Sequence, residues 1–231
     1  MSDFFGSIAA VTRSGKTITL VLAAVLVASI AWESSRAAPA QQEDSSNILS
    51  KDNVLRDPEN PALGNPQGDI TIVEFYDYRC PYCKKISTVL DQVMKDDPNV
   101  RVVLKDWPIL GEPSPYAARL VLAAKYQKKY EAAHRALIMH TGRLTNGVIE
   151  DVLEKAGVDI AKAKADLESN KGSIDALLKR NNAQAEALGF RGTPAFIVGT
   201  FRVPGGLTAE QFKLAIADAR AAAKKEKPGK K

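Results

Sequence analysis

The sequence predicts an α/β domain in which a small sheet with flanking helices is interrupted by a long helical insertion. Short runs of β-branched and aromatic residues, the composition of buried strands, occur at 70–76 and 100–105 and again at 195–203. The stretch between the second and third runs has the helical spacing of apolar residues instead. The only two cysteines, Cys80 and Cys83, follow the first run directly.

The first strand, at 70–76, leads into the cysteine pair. Pro81 suits the first turn of a helix, where its missing N–H costs nothing, and apolar spacing predicts that this helix continues to about Asp96. Cys80 therefore lies at a helix N-terminus, where unpaired backbone N–H groups and the helix dipole favour a thiolate. Cys83, one turn later, is placed to attack a mixed disulfide on Cys80.

A second strand and a series of helices follow. The strand covers 100–105, and Trp107-Pro108 ends it because a residue before proline favours extended geometry. Helices are then expected from capping residues and apolar spacing, with starts at Ser114-Pro115, Tyr130, Thr145, Asp159 and Ser173.

Strand patterns return near the C-terminus. Residues 195–198 and 200–203, joined at Gly199, predict a hairpin. The capping box Thr208-Ala209-Glu210-Gln211 then predicts a final helix. The predicted order is strand, helix, strand, several helices, two strands and helix.

The cysteine pair also has structural interpretations. Zinc usually has four Cys or His ligands, and only His134 and His140, in a distant helical stretch, would complete a site. A structural disulfide would close a tiny loop and constrain the unfolded chain little. A redox dithiol is favoured and no metal site is expected. The spacing of the two histidines favours core or surface roles over catalysis.

Composition and charge are those of an ordinary globular protein. Of 231 residues, 45% are hydrophobic and 26% are charged. Lysines in 224–231 account for much of the net charge of +5, and they predict a basic disordered tail. No nucleic-acid partner is expected, because aromatic and basic residues are not interleaved.

The N-terminus has the layout of an export signal. Basic residues precede an apolar run at 18–32, and Ala38-Pro39-Ala40 offers small residues for cleavage. We predict a signal peptide over 1–40. An uncleaved signal anchor stays open, because Glu33 and Arg36 interrupt the approach to the cleavage site. Either way the remainder is expected in an oxidising compartment, the periplasm, where a dithiol exchanges disulfides.

Residues 41–68 form a polar N-terminal segment that ends in proline and glycine. Within it, 46–55 has the apolar pattern of a short helix. The sequence leaves open whether this helix packs on the domain or mediates self-association.

Several motifs in order resemble one family. Cys-Pro-Tyr-Cys at a helix start and Gly192-Thr193-Pro194 before a strand resemble the DsbA-like thiol–disulfide oxidoreductases of the thioredoxin superfamily. The motifs at 64–66, 73–78, 108–111 and 192–196 are similar to the subgroup that includes Com1 and ScsC. The resemblance covers about 57–222. It implies a thioredoxin fold over 69–223 with an inserted α-helical domain at about 112–189.

The resemblance also implies roles for single residues. The proline matching Pro194 is cis in this family and lies beside the redox pair, which leaves the backbone of Thr193 to pair with an extended substrate. Pro81 and Tyr82, between the cysteines, are expected to tune the thiolate and contact substrate. An acidic residue at the place of Glu74 helps to move a proton as the second cysteine is deprotonated. From strand alternation alone, Glu74 is either partly buried or exposed at a strand edge.

The function expected from these residues is disulfide exchange with cysteine-containing exported proteins, without a cofactor. A membrane redox partner is expected to reset the dithiol. An oxidase and an oligomeric isomerase of the ScsC or DsbC type both stay open, and Thr193 before the proline resembles the isomerases. From a different class, two thiolates also suit Cu(I), and the fold alone also serves as a non-catalytic scaffold.

Overall fold

The structure is a computed structural model that describes residues 47–226. The strands in this part of the chain are β1 Ala62–Gly64, β2 Ile70–Tyr76, β3 Val100–Asp106, β4 Ala195–Val198 and β5 Phe201–Pro204. They form one mixed sheet in the order β1-β3-β2-β4-β5. The α-helices of the same range are α1 Pro81–Asp96, α2 Ser114–Ala123, α3 Tyr130–Met139, α4 Asn146–Lys155, α5 Ile160–Ser169, α6 Lys171–Ala187 and α7 Ala209–Glu226.

The predicted fold class is confirmed. Helices α2 to α6 form the insertion between β3 and β4, and the remaining elements form the α/β domain. One large core cluster joins the sheet to α1, α7 and the insertion, and a second cluster on the opposite face includes Val54, Phe75, Trp107 and Phe190.

The central strands are buried on both faces. β2 runs parallel to β3 and antiparallel to β4, so Glu74 lies opposite Leu104 and Phe196, and Tyr76 lies opposite Asp106. Every residue of β2 and β3 is buried. Strands covered by helices on both faces are normally continuous apolar runs. A charged side chain in either strand therefore needs a specific explanation.

The segment before β1 packs on the domain. Residues Asp52–Arg56 form a single π-helical turn with Val54 buried. The buried Lys105 donates from Nζ to the Asn53 carbonyl at 3.3 Å, and Gln184 Nε2 donates to the same carbonyl at 3.0 Å. Arg101 donates to the Leu55 carbonyl at 2.6 Å. These bonds attach the segment to β3 and α6, so the predicted short helix is shorter than 46–55.

Three local features differ from the sequence prediction. The sequence does not predict β1, whose three residues lie among prolines and glycines and depend on pairing with β3. Ser114 is the first residue of α2 instead of its cap, because its hydroxyl donates to Asp77. Helix α6 begins at Lys171, before Ser173, whose hydroxyl donates back to the Asn170 carbonyl.

The chain termini fall partly outside the described range. Helix α7 continues through Lys224 and Lys225 to Glu226, beyond the predicted start of the tail at 224. Lysines in the last turn complement the negative end of the helix dipole. The predicted signal at 1–40 and residues 227–231 lie outside the described residues. Between 47 and 226, no helix is long and apolar enough to cross a membrane.

Candidate active site

Cys80 is the N-cap of α1, which confirms the predicted helix start. Its sulfur accepts a hydrogen bond from the Cys83 backbone N–H at 3.3 Å. The same sulfur lies 3.2 Å from the carbonyl oxygen of Thr193, the residue before Pro194. The Thr193–Pro194 peptide bond is cis. Both cysteines are free and buried. The structure thus brings together four of the predicted site residues: Cys80, Cys83, Thr193 and Pro194.

The two thiols have opposite electrostatic environments. The side chain of Cys83 is the largest influence that lowers the pKa of Cys80 to about 6. Burial opposes this effect, and the backbone N–H groups of Cys83 and Tyr82 add to it. Burial raises the pKa of Cys83 far above its usual range, and the Cys80 sulfur and the Glu74 carboxylate add to that effect. Cys80 is therefore a thiolate at neutral pH, whereas Cys83 keeps its proton.

Glu74 is buried in the middle of β2, so the buried alternative is correct. Only 4% of the surface of Glu74 is exposed. Burial raises the pKa of its carboxyl group to about 8, and the charges of Cys80 and Asp106 add to that effect. A carboxyl group with this pKa can accept or release a proton near neutral pH.

Asp106 is a second buried acid on the same side of the sheet, and the sequence does not single it out. Neither of its carboxylate oxygens has a hydrogen-bond partner in the described part of the chain. Burial raises its pKa to about 8, and the nearby Tyr76 hydroxyl offsets only part of that effect. Asp106 is therefore largely protonated at pH 7.

Asp77 holds the turn before Cys80, a role that the sequence does not predict. Its carboxylate accepts from the Arg79 N–H at 2.8 Å, the Leu110 N–H at 2.9 Å and the Ser114 hydroxyl at 2.7 Å. The Arg79 side chain donates to the carbonyls of Leu110 and Glu112. One acidic side chain thus ties the turn before Cys80 to the β3–α2 loop and to the start of α2. A lone Asp after a strand gives no sequence pattern for this.

A groove runs beside Cys80. Its volume is about 640 Å³, and the Tyr82 side chain, 66% exposed, lies along it. Pro81 is the first residue of α1, next to Tyr82. The groove's apolar lining residues include Ile86, Val89 and Leu207, and the predicted substrate-binding residues Thr193 and Pro194 line it as well. Its lining is mostly apolar, which suits an extended peptide with apolar side chains.

The helical insertion contacts the cysteine helix α1 and the turn before it through polar groups. Tyr78, two residues before Cys80, shares a hydrogen bond of 3.0 Å with His134 Nδ1 and one of 3.1 Å with the Tyr76 hydroxyl. Lys84, after Cys83, donates from Nζ to the carbonyls of Leu137 and Ile138 at 3.3 and 3.4 Å. The sequence predicts a core or surface role for His134, and the structure places it in the core, next to the site.

No group of three or more Cys, His, Asp or Glu side chains is close enough to hold a metal ion within 47–226. His140 is the C-cap of α3.

The sheet order, the helical insertion and the Cys-Pro-Tyr-Cys motif at the start of α1 define a thioredoxin-like protein with an inserted helical domain. The chain belongs to the family of the DSBA-like thioredoxin domain, whose model matches residues 71–217.

Solved structures agree with this assignment. A thioredoxin-like oxidoreductase from Silicibacter pomeroyi is 41% identical with a TM-score of 0.72, and the match covers 74% of this chain and 98% of that one. The catalytic domain of Proteus mirabilis ScsC is 28% identical with a TM-score of 0.66, and it covers 74% and 94% of the two chains.

Curated relatives include a longer protein. The Na(+)/H(+) antiporter NhaA 1 of Salinispora arenicola is 26% identical over 167 residues, which are 71% of this chain and 25% of the relative. The chain thus spans about a quarter of the length of the first curated relatives it matches.

Proposed function

We propose that the protein is a thiol–disulfide oxidoreductase that exchanges disulfides with exported proteins through Cys80 and Cys83. The observation that carries the proposal is the position of Cys80 at the N-cap of α1, beside Thr193, with its pKa lowered to about 6. A stabilised thiolate is both the nucleophile and the good leaving group that disulfide exchange requires. The family membership and the oxidoreductase from S. pomeroyi support the same reaction class.

In the oxidising direction, a substrate thiolate attacks Cys80 in the Cys80–Cys83 disulfide. The protein S–S bond breaks, a mixed disulfide forms on Cys80, and Cys83 leaves with the electron pair and takes up a proton. A second substrate thiolate then attacks the substrate sulfur of the mixed disulfide. The substrate becomes a disulfide, and Cys80 leaves as a thiolate that its surroundings stabilise.

Glu74 is the proposed proton donor and acceptor for Cys83. Cys83 is fully buried, so its thiolate is costly unless a proton arrives as the disulfide breaks. Glu74 is also buried, and its charge is one of the influences that raise the pKa of Cys83. With its pKa raised to about 8, Glu74 carries a transferable proton at neutral pH.

The proposed substrate site combines a backbone edge and an apolar surface. The backbone of Thr193 offers hydrogen bonds to an extended segment, next to the sulfur of Cys80. Pro81, Tyr82 and Pro194 then contact side chains of that segment along the groove. The substrate class is therefore an unfolded or flexible cysteine-containing polypeptide.

We infer that the protein works in the periplasm after export by the segment at 1–40. A membrane redox partner would return the dithiol to its working oxidation state. An apolar loop of that partner, carrying its own cysteine pair, would suit the same groove as the substrate.

Isomerisation is the second candidate direction. Thr193 before Pro194 resembles the isomerases, and the chain is similar to the ScsC catalytic domain. In this direction the Cys80 thiolate attacks a wrong substrate disulfide, and Cys83 resolves the mixed disulfide when the substrate fails to rearrange.

The test is to trap the exchange intermediate. Reduced Cys83→Ala mixed with a peptide disulfide should accumulate a mixed disulfide on Cys80, detected by mass, whereas Cys80→Ala should form none. Reactivation of a scrambled substrate by the wild type, but not oxidation of a reduced one, would select the isomerase. Failure of Cys83→Ala to form any mixed disulfide would refute exchange and leave Cu(I) binding or a scaffold role, which a copper titration separates.

A further inference from the structure

A small cavity lies between α1, α3 and the sheet. Its volume is about 10 Å³, which is roughly the space that one water molecule needs. The polar residues that line it are Glu74, Ser87, Asp91, His134 and Arg135. The rest of the lining is apolar, from β1, β3 and α1.

The two ends of this cavity differ in exposure. Glu74 and His134 are buried, with 4% and 3% of their surfaces exposed. Asp91 and Arg135 form an ion pair of 2.5 Å, and their side chains are 42% and 40% exposed. The cavity therefore extends from the buried carboxyl group of Glu74 to a charged pair in contact with solvent.

His134 is held firmly in this position. Its Nδ1 shares a hydrogen bond of 3.0 Å with the Tyr78 hydroxyl, and its ring stacks on Tyr130 with centroids 5.9 Å apart. Burial lowers its pKa to about 3, and the Arg135 charge adds to that effect, so the ring is neutral. A neutral imidazole has one donor and one acceptor nitrogen, which leaves Nε2 as the ring nitrogen available to the cavity.

We propose that the cavity is a water site that links Glu74 to solvent, and that His134 is a positioning residue that holds this water for proton transfer to and from Cys83. The inference rests on the proposed function, because it concerns the proton that Glu74 exchanges with Cys83. It explains how the carboxyl group of Glu74, buried between the sheet and α1, can exchange its proton with solvent between catalytic cycles.

Resolution of a mixed disulfide transfers one electron pair to the substrate sulfur and one proton away from Cys83. Cys83 attacks Cys80, the new S–S bond forms, and the substrate sulfur leaves with the electron pair of the broken bond. The Cys83 proton moves to the Glu74 carboxylate and then to the cavity water, which hydrogen-bonds to His134 Nε2. It reaches solvent past Asp91.

Several charged or titratable groups face Glu74 or His134 and enter the pH dependence. They are Cys80 at the N-cap of α1, Cys83 and Asp91 in α1, Tyr76 in β2, Tyr78 in the turn after β2, Tyr130 and Arg135 in α3, and Asp106 in β3. Asp106 raises the pKa of Glu74, and Cys80 adds to this effect only while it is a free thiolate, not in the mixed disulfide.

The test separates the two cysteines in time. Reduced protein is mixed with an aromatic disulfide that releases a coloured thiolate. The first release reports attack by Cys80, and the second reports attack by Cys83 on the mixed disulfide. The chain offers a matched pair, since it has two histidines: His134→Gln removes the proposed positioning group, and His140→Gln removes a histidine away from the cavity.

We expect His134→Gln to slow the second release about tenfold at pH 7, within the range of general acid–base effects, and to leave the first release unchanged. In the wild type the second release should level off by pH ~8, because the Cys80 charge that raises the pKa of Glu74 is absent from the mixed disulfide and Glu74 is then ionised. In His134→Gln the second release should keep rising about tenfold per pH unit as hydroxide takes over. His140→Gln should match the wild type at every pH. A purely structural role for His134 would not change the pH profile of one release alone.

A second pair of variants covers the case in which His134→Gln does not fold. Ser87→Val fills the cavity from α1 and should slow the second release, whereas Thr88→Val, at an exposed neighbouring position, should not. Unchanged second releases in His134→Gln and Ser87→Val, with a slow one in Glu74→Gln, would overturn the water site and keep the proposed function. A wild-type protein whose two thiols react like ordinary buried thiols would instead refute the proposed function.

Discussion

Replacing Cys83 by alanine or by serine isolates the side-chain hydrogen bond that stabilises the Cys80 thiolate. Cys83→Ala removes the donor, whereas Cys83→Ser keeps an O–H donor at nearly the same place. In both variants the backbone N–H groups at the start of α1 stay where they are. Any difference between them therefore reports the Cys83 side chain.

The expected magnitude follows from the site. The Cys83 side chain is the largest of the influences that lower the pKa of Cys80 to about 6. A hydrogen bond to a charged acceptor contributes about 1.5–3 kcal/mol, which equals about 1–2 pKa units. We expect the pKa of Cys80 to rise to about 7–8 in Cys83→Ala, so the thiolate fraction at pH 7 should fall from about nine tenths to half or less. In Cys83→Ser the pKa should stay near 6.

The assay is the ultraviolet absorbance of the thiolate as a function of pH, with the rate of alkylation by iodoacetamide as a second readout. Cys80→Ala supplies the baseline, because its remaining thiol should not titrate below pH ~9. If Cys83→Ala and Cys83→Ser both titrate at the wild-type pKa, the backbone N–H groups and the helix dipole stabilise the thiolate alone, and the assigned role of the Cys83 side chain is refuted.

Three further predictions concern stability, each measured by urea unfolding. The pKa of Asp106 is raised to about 8 in the folded protein, so the unfolded chain loses this proton at a lower pH and the wild type loses stability as pH rises. Relative to the wild type, Asp106→Asn should therefore gain about 1.4 kcal/mol per pH unit from pH ~4 to ~8. A pH-independent difference would contradict this. Asp77→Ala leaves three donors without their acceptor and should lower the free energy of unfolding by about 3 kcal/mol or more; a loss under about 1 kcal/mol would show that the loop is held otherwise. Lys105→Met should be neutral or stabilising at pH 7, because burial lowers the pKa of Lys105 to about 8 and Gln184 still donates to the Asn53 carbonyl. The gain should vanish as pH rises from ~8 to ~10, because the folded wild type has then lost this proton while the unfolded chain still holds it, which stabilises the wild type; a gain that stays constant over this range would contradict this.

The position of the two cysteines at the start of a helix can be predicted from local sequence. Cys80 and Pro81 occupy the cap and first position of a helix, and the apolar run before them forms a buried strand. Both features depend on residues within one or two turns, so sequence patterns predict them well. The order along the chain of β2, α1, β3, the helical insertion, β4, β5 and α7 follows from the same kind of local evidence.

The remainder of the site depends on contacts between distant segments. Asp77 finds its partners in the β3–α2 loop and α2, and His134 meets Tyr78 across 56 positions of sequence. The burial of Glu74 is decided by the helices that cover β2, which alternation along one strand does not show. The sequence likewise has no pattern for Asp106, whose significance comes from its burial without a hydrogen-bond partner among residues 47–226.

The central claim is that Cys80 and Cys83 form a reversible redox couple, and equilibration with glutathione tests it most directly. Oxidised and reduced samples are incubated separately in the same series of glutathione buffers, and the fraction of disulfide is measured after acid quenching. We expect both samples to converge on one fraction of disulfide in each buffer. The stabilised Cys80 thiolate should make the couple more oxidising than it is in variants that raise the pKa of Cys80. Samples that keep their starting oxidation state in every buffer would contradict the claim.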